Sequence, residues 1–171
     1  MGANVGAAYL EETLRVLRQY KALADRAVGQ VSQDAVFQAP DQESNSIAII
    51  MKHMAGNMRS RWTDFLTSDG EKPGRNRDAE FEIEAGATLD GLQQSWEDGW
   101  HLTLTAIDAL RQEDLLREVR IRGEPLTALE AISRQVAHYS YHVGQIVLLA
   151  KHACGPAWQT LSDPKRRGAS A

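Results

Sequence analysis

Cysteine occurs once, at Cys154, so the chain can build neither an intrachain disulfide framework nor a thiolate-rich zinc site. A reducing cytoplasm suits such a chain. No apolar run approaches the roughly 20 residues that span a bilayer, and the opening MGANVGAAYLEETL puts no basic leader before an apolar core. Gly2 and Gly6 do not complete a myristoylation signal, which wants Ser or Thr at the sixth position. A cytoplasmic protein with no membrane partner is expected. Excess positive charge is also missing. With a net charge of −4 and a pI near 5.7 there is no general basic field, so nucleic acid is not the favoured partner. The short basic run Lys165, Arg166, Arg167 reads as solvated.

What is present is an ordinary globular composition, 43% hydrophobic and 25% charged, in 171 residues. A chain of this length buries about two thirds of its unfolded surface. One domain over residues 1–171 is expected, with a C-terminal tail from about residue 155.

Four long helical patterns organise the chain. In the first, Leu10, Leu14, Leu17, Ala24, Ala27 and Val31 repeat at helical spacing without an interrupting proline. The segment FQAPDQESN, residues 37–45, crosses to a second helix beginning near Ser46 and stopping before Gly70. That helix has an apolar seam of Ile47, Met51, Met54, Met58 and Phe65. Beside it runs a second seam, Ile50, His53, Asn57, Ser60 and Asp64, too polar for ordinary core.

The stretch EKPGRNRDAEFEIEA reads as a loop ending in a short extended piece. Thr88 caps a third helix whose buried face is Leu89, Trp96, Trp100, Thr103, Ile107 and Leu110. EVRIRGEPLT alternates and turns at Gly123, which predicts a small hairpin. Thr127 and Glu130 form a capping box at the start of the fourth helix. Its apolar seam is Leu129, Ile132, Val136, Tyr139, Val143, Ile146 and Ala150. The flanking seam is Ala131, Gln135, His138, His142, Gln145 and Leu149, again half polar.

Two helices therefore carry matching polar stripes, one with His53 and one with His138 and His142. On the residues alone two readings stay open: hydrogen-bonded or solvated imidazoles, or ligands of a metal. The small residues Gly144, Ala131 and Ala137, which would let another backbone approach, favour the second. Three imidazoles from two helices would leave coordination positions open, which is a catalytic arrangement. Neutral imidazole suits zinc, nickel, copper or iron, and spacing does not choose among them. Ferritin-like di-iron chemistry is disfavoured because paired Glu-x-x-His motifs are absent.

His101 lacks a partner at ligand spacing, and His152 sits near a helix end where a cation suits the dipole, so both are expected to be structural or exposed. Asn57 and Asp64 could support a ligand or orient a substrate, or simply bond between helices. Arg134 faces either an anionic group or solvent. Trp96 and Trp100 read as packing, and Cys154, after the last helix, as either a reactive thiol or the commoner inert surface or buried one.

His53 within KHMAGNMRSRWTDF, the IRGEP turn, HYSYHVGQIV and the closing WQTLS together resemble the DinB/YfiT-like superfamily of metalloenzymes, and within it a bacterial branch of unknown function. The resemblance covers almost the whole chain. It implies an all-α four-helix bundle of up-down-down-up topology, usually dimeric, with the small hairpin before its last helix. It also implies a divalent metal, zinc or nickel first, held by His53, His138 and His142. Better-characterised relatives include bacillithiol S-transferases and mycothiol-dependent maleylpyruvate isomerase, in which the metal activates a low-molecular-weight thiol. Metal-dependent S-transfer from a thiol such as bacillithiol to an electrophile is the activity implied; a metal-binding or stress-related interaction protein without turnover is the alternative. The residues leave the catalytic and thiol-binding groups unassigned. Asp163 after WQTLS departs from the apolar residue expected there. A homodimer is expected, since an acidic chain with four tryptophans has apolar surface to hide.

Overall fold

In the computed structural model, which describes residues 4–162, the chain is mostly helical, with five α-helices and one two-stranded sheet among the described residues. The expectations for Asp163 and for the basic run at 165–167 lie outside the described residues. Helix α1 (Val5–Val28) starts where the Asn4 side chain accepts from the Ala7 amide, and it buries Leu10, Leu14, Leu17, Ala24 and Ala27. A short α2 (Gln33–Phe37) follows, capped by Ser32. Helix α3 (Ile47–Trp62) begins at Ser46, α4 (Leu89–Asp108) at Thr88, and α5 (Ala128–Cys154) at the Thr127–Glu130 capping box. Each cap satisfies amides that the first helical turn leaves without an internal partner.

The seams close one core. Leu17, Met51, Met54, Met58, Trp100 and Ile132 are among its fully or nearly fully buried members, and each such side chain contributes about 1.5–3 kcal/mol on burial. Helices α3 and α4 approach closely, since a Cβ on Gly99 would lie 3.3 Å from the Ala55 Cα. Strands β1 (Glu118–Ile121) and β2 (Glu124–Thr127) pair antiparallel, and Val119 and Ile121 pack with Ala128 and Ala131 at the start of α5.

Helix directions follow from contacts at the ends. The Tyr9 hydroxyl bonds the Leu129 carbonyl and Ser133, while Gln30 bonds the Gln159 backbone, so α1 and α5 run parallel. Gly6 lies against Gln112 and Leu115, just past the end of α4, whereas Lys21 and Asp25 meet Glu97 and Trp96 near its beginning; α1 and α4 are antiparallel. Phe65 and Leu66, beyond α3, pack beside Ala128 and Ala131, and His53 meets the middle of α5, so α3 runs against α5. Helices α3 and α4 are therefore parallel neighbours, and the chain from Thr63 to Thr88 must travel back along their length.

Four expectations need correction. Helix α3 ends at Trp62 rather than near Gly70: Thr63 is extended and Asp64 has φ 49°. Ser60 and Arg61 both bond the Gly70 carbonyl, turning the chain back early. The first helix stops at Val28, leaving Val31 outside it, and α2 was not anticipated because five residues are too few to show a period. The extended piece expected in EKPGRNRDAEFEIEA is a 3-10 turn at Asp78–Phe81, held by Lys52, whose Nζ donates to the Ala79 and Glu82 carbonyls at 2.7 Å each. Gly144 is exposed and a Cβ there would meet nothing, and Ala137 is exposed; close approach occurs at Gly56 and Gly99 instead.

Candidate metal centre

Helical spacing puts Ile50, His53, Asn57 and Ser60 on one buried face of α3, turned towards the Gln135, His138 and His142 face of α5. His53 is 5% exposed and His142 is 9% exposed, while His138 is partly exposed. Their ring edges converge. His138 Nε2 lies 3.4 Å from His53 Nε2 and 3.0 Å from His142 Nε2, and one ligand atom from each ring falls within 4.8 Å of the others.

The outer nitrogens explain which atoms face inward. His53 Nδ1 lies 2.9 Å from Glu80 Oε2, and His142 Nδ1 lies 2.8 Å from Gln145 Oε1. Glu80 is ionised, because its pairing with Arg75 and His53 outweighs burial and holds its carboxyl below the ordinary range. Both oxygens accept, so both Nδ1 atoms carry a proton, and in the neutral ring each Nε2 lone pair points inward. A single proton on His138 Nε2 can bridge only one of them. Burial first, then the neighbouring His142 and His53, pushes His138 down to about 3, so a second proton is strongly opposed. Burial likewise lowers His142, against the opposing bond to Gln145. A cation satisfies all three lone pairs at once. Tetrahedral bonds of about 2.0–2.1 Å place ligand nitrogens about 3.3 Å apart, close to the observed 3.4 and 3.0 Å. Two of the three pairs thus match a shared ion, and with all three ligand atoms within 4.8 Å of one another the cluster could hold a divalent metal. Among the described residues no fourth His, Cys, Asp or Glu joins the group.

Below the rings lies a hydrogen-bonded layer. Trp62 Nε1 donates to the Tyr139 hydroxyl at 2.9 Å, and that hydroxyl donates to Asn57 Oδ1 at 3.2 Å. Asn57 thus bonds between helices rather than towards the histidines. Asp64 is exposed beyond the helix, Arg134, His101 and His152 are exposed on helix surfaces, and none joins the cluster. Trp96 and Trp100 are core, with Trp96 Nε1 donating to Asp25. The Cys154 thiol donates to the Gln30 carbonyl at 3.2 Å, away from the rings.

Glu80, Arg75 and Phe81 escaped the sequence analysis. Arg75 clamps Glu80 through Nε and Nη2, both at 2.7 Å, and Phe81 covers His53 with centroids 4.8 Å apart. All three sit in an irregular connection where no period marks a face. One signal was available: a buried histidine whose helix offers no acceptor needs one from elsewhere, and this charged loop is the long connection that follows His53.

No curated protein matches the chain. A family described as a protein of unknown function, DUF1572, matches residues 4–167. That span takes in α1 through α5, with all three histidines and the connection that supplies Glu80, and the chain belongs to the DUF1572 family.

Proposed function

We propose that His53, His138 and His142 hold a divalent metal ion, zinc or nickel, in a metal-dependent enzyme of the DinB/YfiT-like superfamily that activates a low-molecular-weight thiol for transfer to an electrophile. The observation that carries the reading is the convergence of three Nε2 atoms, two of them fixed as lone-pair donors by Glu80 and Gln145. The pairwise helix directions support the four-helix, up-down-down-up bundle that the sequence resemblance implies. Such an ion, when bound, acts as a Lewis acid that favours the thiolate of a thiol entering an open position. The chain's own groups do the rest. Glu80 orients His53, Gln145 orients His142 and ties it to the Tyr141 hydroxyl at 3.0 Å, and Phe81 shields His53 from water.

A second reading, a metal-binding or stress-related interaction protein without turnover, is favoured by one observation. A cavity of about 820 Å³ is lined by Glu80 but by none of the three histidines, so it is not a thiol pocket opening on the rings.

Metal analysis of protein purified without a histidine tag tests the centre. Each of His53→Ala, His138→Ala and His142→Ala should lose most bound metal while keeping its helical circular dichroism, because the core lies on other seams. Full retention in all three overturns it. Conjugation of bacillithiol, mycothiol, glutathione or coenzyme A to a chromogenic electrophile separates the two readings. The enzyme accelerates the reaction at neutral pH, loses the excess rate with chelator, and keeps it in Cys154→Ser. No acceleration with any of these thiols leaves the binding protein.

A further inference from the structure

The cavity behind Glu80 lies between the outer face of α3, the connection at residues 72–88 and the first turns of α4. It exists because its walls carry little side chain: Ala55 and Gly56 on α3, Gly74, Gly86 and Ala87 on the connection, and Gly91 on α4. Its volume, about 820 Å³, is in the range of pockets that enclose small organic ligands.

The charge on the lining is unbalanced. Lys52, Arg59, Lys72 and Arg75 face it, against Glu80 and Glu84. Both carboxylates are already used, Glu84 by Lys52 at 2.6 Å and Glu80 by Arg75 at 2.7 Å. Arg59 and Lys72 make no ion pair among the described residues. Burial holds the Lys72 ammonium below its ordinary range in spite of Asp64 and Asp69 nearby. Ile83 and Leu92 supply apolar wall.

We propose that this cavity is a second ligand site, taking a small organic anion whose charged head is held by Arg59 and Lys72 and whose apolar body lies against Ile83 and Leu92. Two cations outside any ion pair among the described residues, the Lys72 ammonium being bonded only to the Asp69 backbone carbonyl, select for negative charge. The apolar wall selects against a bare inorganic ion.

The probe is 8-anilinonaphthalene-1-sulfonate, titrated into the full chain while amide signals are followed by proton–nitrogen correlation spectroscopy. Gly56, Gly74, Gly86 and Gly91 should shift together along one saturable curve, with Gly144 and Gly155, neither of which lines the cavity, staying still. The uncharged N-phenyl-1-naphthylamine should bind about ten-fold more weakly, as should the probe to the double variant Arg59→Gln, Lys72→Gln. Ala87→Trp, at an exposed position, should fill the cavity and abolish the response. His138→Ala should leave the probe's affinity unchanged, so failure here and failure of the metal centre are distinguishable. The proposal is overturned if the four glycines do not respond, if the controls shift equally, or if the neutral analogue and the variants bind as well as the anion and the parent.

Discussion

Glu80 sets how firmly His53 is held, and its own place depends on an absent side chain. A Cβ on Gly56 would come 2.4 Å from Glu80 Oε1 and 2.7 Å from its Cδ, so Gly56→Ala must displace the carboxylate from His53 or Arg75. Glu80→Ala leaves the Arg75 side chain, 5% exposed, with only its longer contacts to Glu71. Breaking a buried pair on one side costs about 3 kcal/mol, which urea unfolding of metal-free protein should register. Glu80→Gln keeps the volume and should cost less than half of that. Both Glu80→Gln and Gly56→Ala should weaken metal binding about 10–100-fold in a chelator competition, the effect of losing a partner behind a ligating imidazole. Unchanged affinity in both would show that Glu80 serves only the fold. The three histidines were legible in the sequence because helical spacing fixes which side chains share a face. Glu80 and Arg75 were not, since an irregular connection has no such rule and its destination is set by packing.

The connection itself is latched to the hairpin. Asp69 accepts from the Glu71 amide at 2.7 Å, the Gly123 amide at 2.7 Å and the Arg122 amide at 2.9 Å, and the Gly70 amide donates to the Arg120 carbonyl. Arg122 and Gly123 both have positive φ, 58° and 76°, as a tight two-residue hairpin turn requires. The Glu71 amide first, then those of Gly123 and Arg122, holds the Asp69 carboxyl below its ordinary value of 3.8. A depressed carboxyl contributes stability that is fully present above the ordinary value and is lost as pH falls through the folded one. Glu71 has the same sign, since Arg61, Arg75 and Arg122 outweigh its burial. Acidification below about pH 4 should therefore reduce the hydrogen-exchange protection of the Gly70, Arg122 and Gly123 amides while the centre of α5 stays protected. Asp69→Asn should show that loss already at neutral pH, and equal protection in variant and parent would rule out the latch. The hairpin and the caps at Ser46, Thr88 and Thr127 were readable because turn and cap chemistry is local. The end of α3 was not. The residues of TDFLTSDG do not forbid a helix, and what ends it is Ser60 and Arg61 catching the carbonyl of Gly70, a contact formed only once the chain has folded back.

Over the whole molecule, helix direction is the property that periodicity cannot supply, and here it has a consequence for the site. Parallel neighbours α3 and α4 require a long return connection, and that return carries Glu80 past His53 and roofs the cavity beside it. The same scale decides assembly. The tryptophans do not argue for a dimer as expected from composition, since Trp62, Trp96 and Trp100 are in the core and Trp158 is half-buried against it. Exposed apolar side chains lie instead at Val5 and Leu116 and on the outer face of α5, where Tyr141 is 62% and Leu148 is 68% exposed with the bare Gly144 between them. Such an apolar patch, bounded on the same helix by the exposed Arg134 and Lys151, can pair with its own copy across a two-fold axis. Light scattering at micromolar concentration should therefore give the mass of two chains. Leu148→Asp should shift the mass to one chain, because a carboxylate at a closed apolar contact has no partner. Its metal content should not change, as Leu148 is exposed and is not one of the grouped residues. A single-chain mass for the parent at high concentration would refute the dimer, and a Leu148→Asp protein that remains dimeric would place the contact on another face.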